Sequence, residues 1–207
     1  MAWKIERWLT EVFPGESQIY SEYRSLAPRE LAIVAAAVLD AALAELLSLR
    51  LVEHYKEVEE FLGLDGDGRA PAGTFGARIQ LALLVGLISS DEAAILRAIK
   101  ELRNLFAHRL RIGFLSPAVL KVTTKLLSLW LKRNDGLIKA GVISGTSGQL
   151  KRLGQYLPRY SEAGEGLLLS VFTVYHAYFH RLHARIPRIG DAVRESSARD
   201  KSRGTLH

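Results

Sequence analysis

Apolar residues along this chain recur at intervals of three and four, the spacing of one face of an α-helix. The clearest run is Ile95, Ala98, Ile99, Leu102 and Phe106, whose side chains share one face. No stretch longer than a few residues alternates between apolar and polar positions as a half-buried strand does. The pattern predicts an all-α fold, a helical bundle of about six to eight helices with no significant sheet.

Local signals mark where several of these helices start. Pro28 suits the first turn of a long, alanine-rich helix. Thr74 is the expected N-cap of another helix, and Ser89 with Glu92 predicts a capping box worth about 1 kcal/mol for the next one. The longest predicted helices cover residues 31–52, 75–88, 117–132 and 163–186.

Glycine and polar residues divide the chain. Residues 133–148 contain four glycines and are predicted to connect two helical regions. The last residues are polar and charged, with little apolar surface to bury. We predict a helical core over residues 1–132, a basic helical extension packed on it over residues 133–188, and a flexible polar tail over residues 189–207.

Composition narrows the function classes. The chain has 207 residues, of which 48% are hydrophobic, and it has no cysteine. Disulfides, cysteine-ligated iron–sulfur clusters and thiolate zinc sites are therefore excluded, which fits a reducing cytoplasm. The apolar run from Leu31 to Leu47 includes Asp40 and Glu45, so we expect a core helix, not a membrane span. These features predict a cytoplasmic protein without a membrane partner.

Charge is distributed unevenly along the chain. Residues 1–110 carry 12 Lys and Arg against 16 Asp and Glu, a net charge of −4. Residues 111–207 carry 16 against 6, a net charge of +10. A basic half suggests an anionic partner such as nucleic acid, and the alternative is a solvated basic face without a partner. The candidate nucleic-acid-binding residues are Lys139, Lys151, Arg152, Arg159 and Tyr156, with Tyr160 beside them.

Two patterns resemble parts of metal sites. The segment from Asp65 to Gly68 resembles the start of a calcium loop but has Arg69 and Gly76 at later ligand positions. The final helix carries His176, His180 and His183 on one stripe, without an acidic residue at that spacing. We predict neither a metal site nor a cofactor.

The sharpest chemical pattern is Arg103, Asn104 and His108 at the end of a helix. Asn104 and His108 are four residues apart and share a helix face. A histidine can transfer a proton near neutral pH, and an arginine can stabilise charge on a phosphate, as metal-independent RNA cleavage at the 2′-hydroxyl requires. The alternative is structural, with these side chains bonding neighbouring loops or a buried carboxylate. Asp40 is the candidate carboxylate, and we predict that it pairs with Arg78 or Arg103 because an unpaired buried charge is costly.

Four segments together resemble the mannitol operon repressor family. They are Val34–Asp40, Ala70–Ile79, Leu84–Ile88 and Ile99–His108, and they follow the family's order over about residues 30–110. The resemblance implies an all-helical bacterial transcriptional regulator without a recognised helix-turn-helix, acting through nucleic acid or a protein partner. It does not cover the basic second half.

The segment Arg103–His108 also resembles the Arg-x4-6-His motif of the HEPN superfamily, helical domains that are often dimeric ribonucleases. This resemblance implies that Arg103 holds a phosphate, that Asn104 has an orienting role and that His108 transfers a proton. It also implies a homodimer. Because the superfamily includes noncatalytic members, three functions stay open: a repressor-type regulator, a metal-independent endoribonuclease, and a noncatalytic helical interaction module.

Overall fold

The structure is a computed structural model that describes residues 23–51, 55–64, 68–139 and 153–183. These residues form helices and connecting turns, and none of them lies in a strand. The predicted all-α bundle is therefore confirmed. Its helices are α1 Pro28–Arg50, α2 Tyr55–Leu62, α3 Phe75–Leu84, α4 Ser90–His108, α5 Pro117–Lys139 and α6 Ser161–His183, with a further helical turn over residues 153–156.

Helix α1 lies at the centre of the bundle and packs against α6, α4 and α3. Its alanines let the neighbouring helices approach closely, and Ala35, Ala36 and Ala42 are buried. By length and composition α1 is apolar enough to cross a membrane. However, 67% of the most apolar 18-residue stretch of α1 is buried inside the bundle, as in the core helix of a folded domain.

Helices α4, α5 and α6 are tied together by one buried carboxylate. The Ser89 N–H donates to Glu92 Oε2 at 2.6 Å, and the Glu92 N–H donates to Ser89 Oγ at 3.3 Å, which confirms the predicted capping box. The other carboxylate oxygen of Glu92 accepts from Arg133 Nη2 of α5 at 2.7 Å. The Arg133 guanidinium in turn lies 5.6 Å from the centre of the Tyr175 ring on α6. Glu92 thus both starts α4 and fixes the α5 and α6 side chains next to it.

Two predicted helix ends were wrong. Helix α3 ends at Leu84, short of Ile88, because Gly86 adopts a left-handed backbone (φ 71°) that closes the turn. Helix α5 continues past residue 132 to Lys139, through Gly136. A single glycine costs a helix only about 1 kcal/mol, which the packing of the rest of α5 offsets. The predicted boundary between residues 132 and 133 therefore falls inside this helix.

Candidate functional site

Three of the four segments that resemble the repressor family line an open cavity of about 420 Å³: Val34–Asp40, Ala70–Ile79 and Ile99–His108. One wall is α1, the second is the turn that leads into α3, and the third is the middle of α4. This volume is within the range of about 300–1,000 Å³ that is typical of small-molecule sites. The lining residues are Ile33, Ala36, Ala37, Asp40, Gly73, Thr74, Phe75, Gly76, Lys100, Arg103 and Asn104.

The wall before α3 is held by the guanidinium of Arg78. Arg78 Nη1 donates to Asp40 Oδ1 at 2.8 Å, and Nε donates to the carbonyl of Ala72 at 3.0 Å. Nη2 donates to the carbonyl of Leu62 at 2.6 Å. One arginine therefore joins α1, the end of α2 and the turn. Its side chain is only 9% exposed, so these bonds are shielded from water.

Thr74 begins α3 as predicted. Its Oγ1 accepts from the N–H of Ala77 at 3.2 Å, and its carbonyl accepts from the N–H of Arg78 at 3.0 Å. The first amides of a helix have no intrahelical acceptor, so the N–H groups of Phe75 and Gly76 are not used by α3 itself. Both residues line the cavity.

In the part of the chain that the structure describes, Asp40 is the only acidic residue that lines the cavity. Burial raises the pKa of its carboxyl above the ordinary value, and the charges of Arg78 and, further away, Arg103 lower it again. Of the two predicted partners, Arg78 makes the direct ion pair, whereas Arg103 acts on Asp40 only through its field.

Lys100 lies on the opposite wall, against the first turn of α3. A Cβ built on Gly76 would lie 2.7 Å from Lys100 Nζ, so the absence of a side chain at this glycine admits the ammonium. Within residues 23–51, 55–64, 68–139 and 153–183, Lys100 has neither an ion pair nor a hydrogen bond to another side chain. Sequence reasoning missed both residues because their meeting depends on how α3 packs on α4.

The three motif residues do not share one environment. Arg103 is exposed, and its Nη1 donates to Asn104 Oδ1 at 3.1 Å. Asn104 is half-buried and lines the cavity, but His108, one turn further along α4, is exposed and does not line it. The motif therefore runs from the cavity to the open surface at the end of α4.

The end of α4 is fixed by Arg29 from the first turn of α1. Its Nη1 donates to the carbonyl of Phe106 at 2.8 Å, and its Nη2 donates to the carbonyls of Arg109 and Leu110, each at 2.6 Å. Phe106 is in the last turn of α4, whose carbonyls have no intrahelical partner, and Arg109 and Leu110 begin the loop that follows. The backbone of the loop is thereby held while the side chains of Arg109, Leu110 and Arg111 are exposed, Leu110 to 92%.

The predicted nucleic-acid-binding residues are only partly within the described part of the chain. Tyr156 and Arg159 are exposed, and the Tyr156 and Tyr160 rings lie 6.1 Å apart. Lys151 and Arg152 lie outside the described residues, as does the side chain of Lys139.

The histidine stripe of α6 is divided among different environments. His176 is buried, His180 is exposed, and His183 Nε2 lies 2.7 Å from Glu45 Oε1 of α1. Among the described residues, no group of three or more His, Cys, Asp or Glu is placed to hold a metal ion. Asp65 and Asp67 lie outside this part of the chain.

Comparison with known proteins gives no match: no family model, no curated protein and no solved structure is similar enough to this chain.

Proposed function

We propose that this chain is a cytoplasmic regulator, similar to mannitol operon repressors, that acts by binding nucleic acid through phosphate contacts at the end of α4. The observation that carries the proposal is a charge pattern. Residues 102–134 contain seven Lys or Arg and no Asp or Glu. Such a run favours a polyanion, because phosphate contacts supply most of the affinity for nucleic acid.

The ion pairs show which of these seven cations are available. Lys125, Lys132 and Arg133 each contact a carboxylate of α4. The other four, which we call the basic surface, are exposed and make no ion pair within the described residues. The basic surface consists of Arg103, Arg109, Arg111 and Lys121.

The residues of the basic surface lie on the second half of α4, on the loop after it and near the start of α5, and part of this region is rigid. Lys125 lies 3.7 Å from Glu101, and Lys121 is one turn nearer to the loop between α4 and α5 on the same face of α5. Arg109 and Arg111 extend from the backbone that Arg29 holds. Because this backbone is already fixed, binding a partner costs less conformational entropy than it would on a flexible loop.

A salt titration tests this proposal. Fluorescence anisotropy with labelled duplex DNA and with single-stranded RNA measures the affinity between about 50 and 200 mM salt. For the Arg109→Gln/Arg111→Gln double variant we expect weaker binding and a less steep fall of log affinity with log salt concentration. The slope should be smaller by about 1.8 for duplex DNA or about 1.4 for single-stranded RNA, which corresponds to the loss of two phosphate contacts. Lys56→Gln is the matched control, because it removes one exposed charge from the acidic helix α2.

Two results would contradict the proposal. One is an absence of binding to either nucleic acid at the lowest salt, which would favour a protein partner. The other is a double variant that binds like the Lys56→Gln control, which would place the contacts elsewhere on the chain.

A second candidate function is metal-independent RNA cleavage, which the exposure of Arg103 and His108 favours. Arg103 and His108 are both exposed at the end of α4, where a strand bound on the basic surface can reach them, and Asn104 orients the arginine. In this reaction the 2′-oxygen attacks the adjacent phosphorus and the 5′-oxygen leaves. The imidazole transfers the proton of the 2′-hydroxyl to the leaving 5′-oxygen, and the guanidinium stabilises the charge on the phosphate.

Cleavage of RNA in the presence of EDTA tests the second candidate. We expect His108→Ala to lower the rate by at least about a hundredfold, and His180→Ala, an exposed histidine on α6, to have no effect. Wild-type protein that binds RNA without cleaving it would exclude the nuclease and leave the regulator.

A further inference from the structure

We propose that the cavity between α1, α3 and α4 binds the phosphate group of a small molecule, with Lys100 as the principal ligand. This site shares only Arg103 with the basic surface. The inference does not depend on whether the chain binds nucleic acid.

Lys100 brings a positive charge into the wall of the cavity. Its ammonium lies in the cavity wall, half-buried, with no carboxylate beside it among the described residues. Because Gly76 has no side chain, Nζ approaches the first turn of α3, where the amides of Phe75 and Gly76 have no helical acceptor. One oxyanion at this point satisfies the ammonium and both amides together.

The described residues of the cavity wall carry more positive than negative charge. Asp40 is the single carboxylate among the described residues of the cavity wall, and it is already compensated by Arg78 behind that wall. Lys100 and Arg103 therefore contribute two positive charges that the cavity itself does not neutralise. A phosphate monoester carries a charge of about −1.5 to −2 at pH 7, which matches them, whereas a simple carboxylate leaves one charge uncompensated.

The cavity has room for more than a phosphate group. One water occupies about 30 Å³ of liquid. The cavity volume of about 420 Å³ is many times larger, so a phosphate group fills only part of it. The remaining space is lined by Ile33, Ala36 and Ala37 of α1, by the partly exposed Asp40 carboxylate on the same helix, and by the Asn104 amide on α4. These groups suit a compact organic phosphate whose remainder has hydroxyl groups, because both side chains accept hydrogen bonds from hydroxyls.

The test is calorimetric titration of the full chain, in a buffer free of phosphate and sulfate. The probes are glycerol 3-phosphate, inorganic phosphate and glycerol. We expect glycerol 3-phosphate to bind, inorganic phosphate to compete with it, and glycerol not to bind. Lys100→Gln should weaken the binding of glycerol 3-phosphate by about tenfold or more, since it removes a charge-assisted hydrogen bond.

Gly76→Ala separates ligand binding from folding. Its Cβ displaces the flexible end of Lys100, so binding should weaken, while the Tm of the unliganded protein is unchanged or higher because alanine favours a helix more than glycine does. Arg97→Gln is the control, an exposed charge of α4 that contacts Gln80 outside the cavity, and it should bind like wild type.

Three results would overturn the proposal. The first is that neither phosphate compound binds. The second is that Lys100→Gln and Arg97→Gln lower the affinity equally, which would indicate a general charge effect. The third is that Lys100→Gln weakens the binding of a 5′-phosphorylated oligonucleotide while glycerol 3-phosphate does not bind, which would make the cavity a nucleic-acid contact and not a small-molecule site.

Discussion

Arg78→Met should destabilise the protein strongly while keeping a side chain of similar length. The guanidinium makes three hydrogen bonds of 3.0 Å or less, to Asp40 and to the carbonyls of Ala72 and Leu62. Methionine fills the space but donates to none of them. Removing one partner of a buried ion pair costs about 3–5 kcal/mol. We expect about 3 kcal/mol here, the lower end, because the Asp40 side chain is 25% exposed and water can reach it.

The assay is urea unfolding followed by circular dichroism and tryptophan fluorescence. Since domains of this size are stable by about 5–15 kcal/mol, a loss of 3 kcal/mol gives a large shift of the midpoint. Arg97→Met is the matched control, because this exposed arginine of α4 makes one side-chain bond, and its effect should be within about 0.5 kcal/mol.

The pH dependence of the Arg78→Met penalty has a definite sign. Burial raises the pKa of Asp40 and Arg78 lowers it, so the variant leaves Asp40 with a still higher pKa in the folded state. Protonation then removes the unpaired charge, and the penalty should shrink as the pH falls from 7 toward about 4. A penalty below about 1 kcal/mol at pH 7, or one that grows in acid, would refute this account of the turn.

Three further outcomes are expected. Arg29→Met should lower the free energy of unfolding by about 1–2 kcal/mol and speed amide hydrogen exchange over residues 109–113, because three carbonyls lose their donor; unchanged exchange there would contradict this. Gly86→Ala should cost about 1 kcal/mol in urea unfolding, since alanine disfavours a φ of 71°, and equal stability would mean that the turn relaxes. Arg103→Gln should raise the pKa of Asp40, seen by NMR titration of its carboxyl carbon, because the Arg103 charge lowers it; a lowered or unchanged pKa would show that Arg103 does not act on Asp40.

Features that depend on neighbouring residues could be predicted from the sequence. The helix-forming pattern, the Thr74 cap and the capping box of Ser89 and Glu92 follow from residues within one or two turns of each other. The ends of α3 and α5 were harder, because a glycine can close a helix or lie within it. Gly86 closes α3, whereas Gly136 lies within α5, and packing decides between these outcomes.

The site depends on contacts between distant parts of the chain. Arg29 bonds carbonyls 77 to 81 residues away, and nothing in its local sequence predicts this. The approach of Lys100 to Gly76 likewise requires the packing of α3 on α4. For Asp40, sequence reasoning limited the partner to Arg78 or Arg103, because an acidic residue inside an apolar helix needs a cation, but only the fold shows that Arg78 makes the contact.

Hydrogen exchange measured by mass spectrometry, with and without a bound oligonucleotide, tests the central claim most directly. The proposed function predicts slower exchange in the loop that follows α4, residues 109–116, and at the end of α4 itself, where the basic surface lies. Slower exchange confined to residues 153–160, around Tyr156 and Arg159, or an absence of change anywhere in the chain, would contradict it.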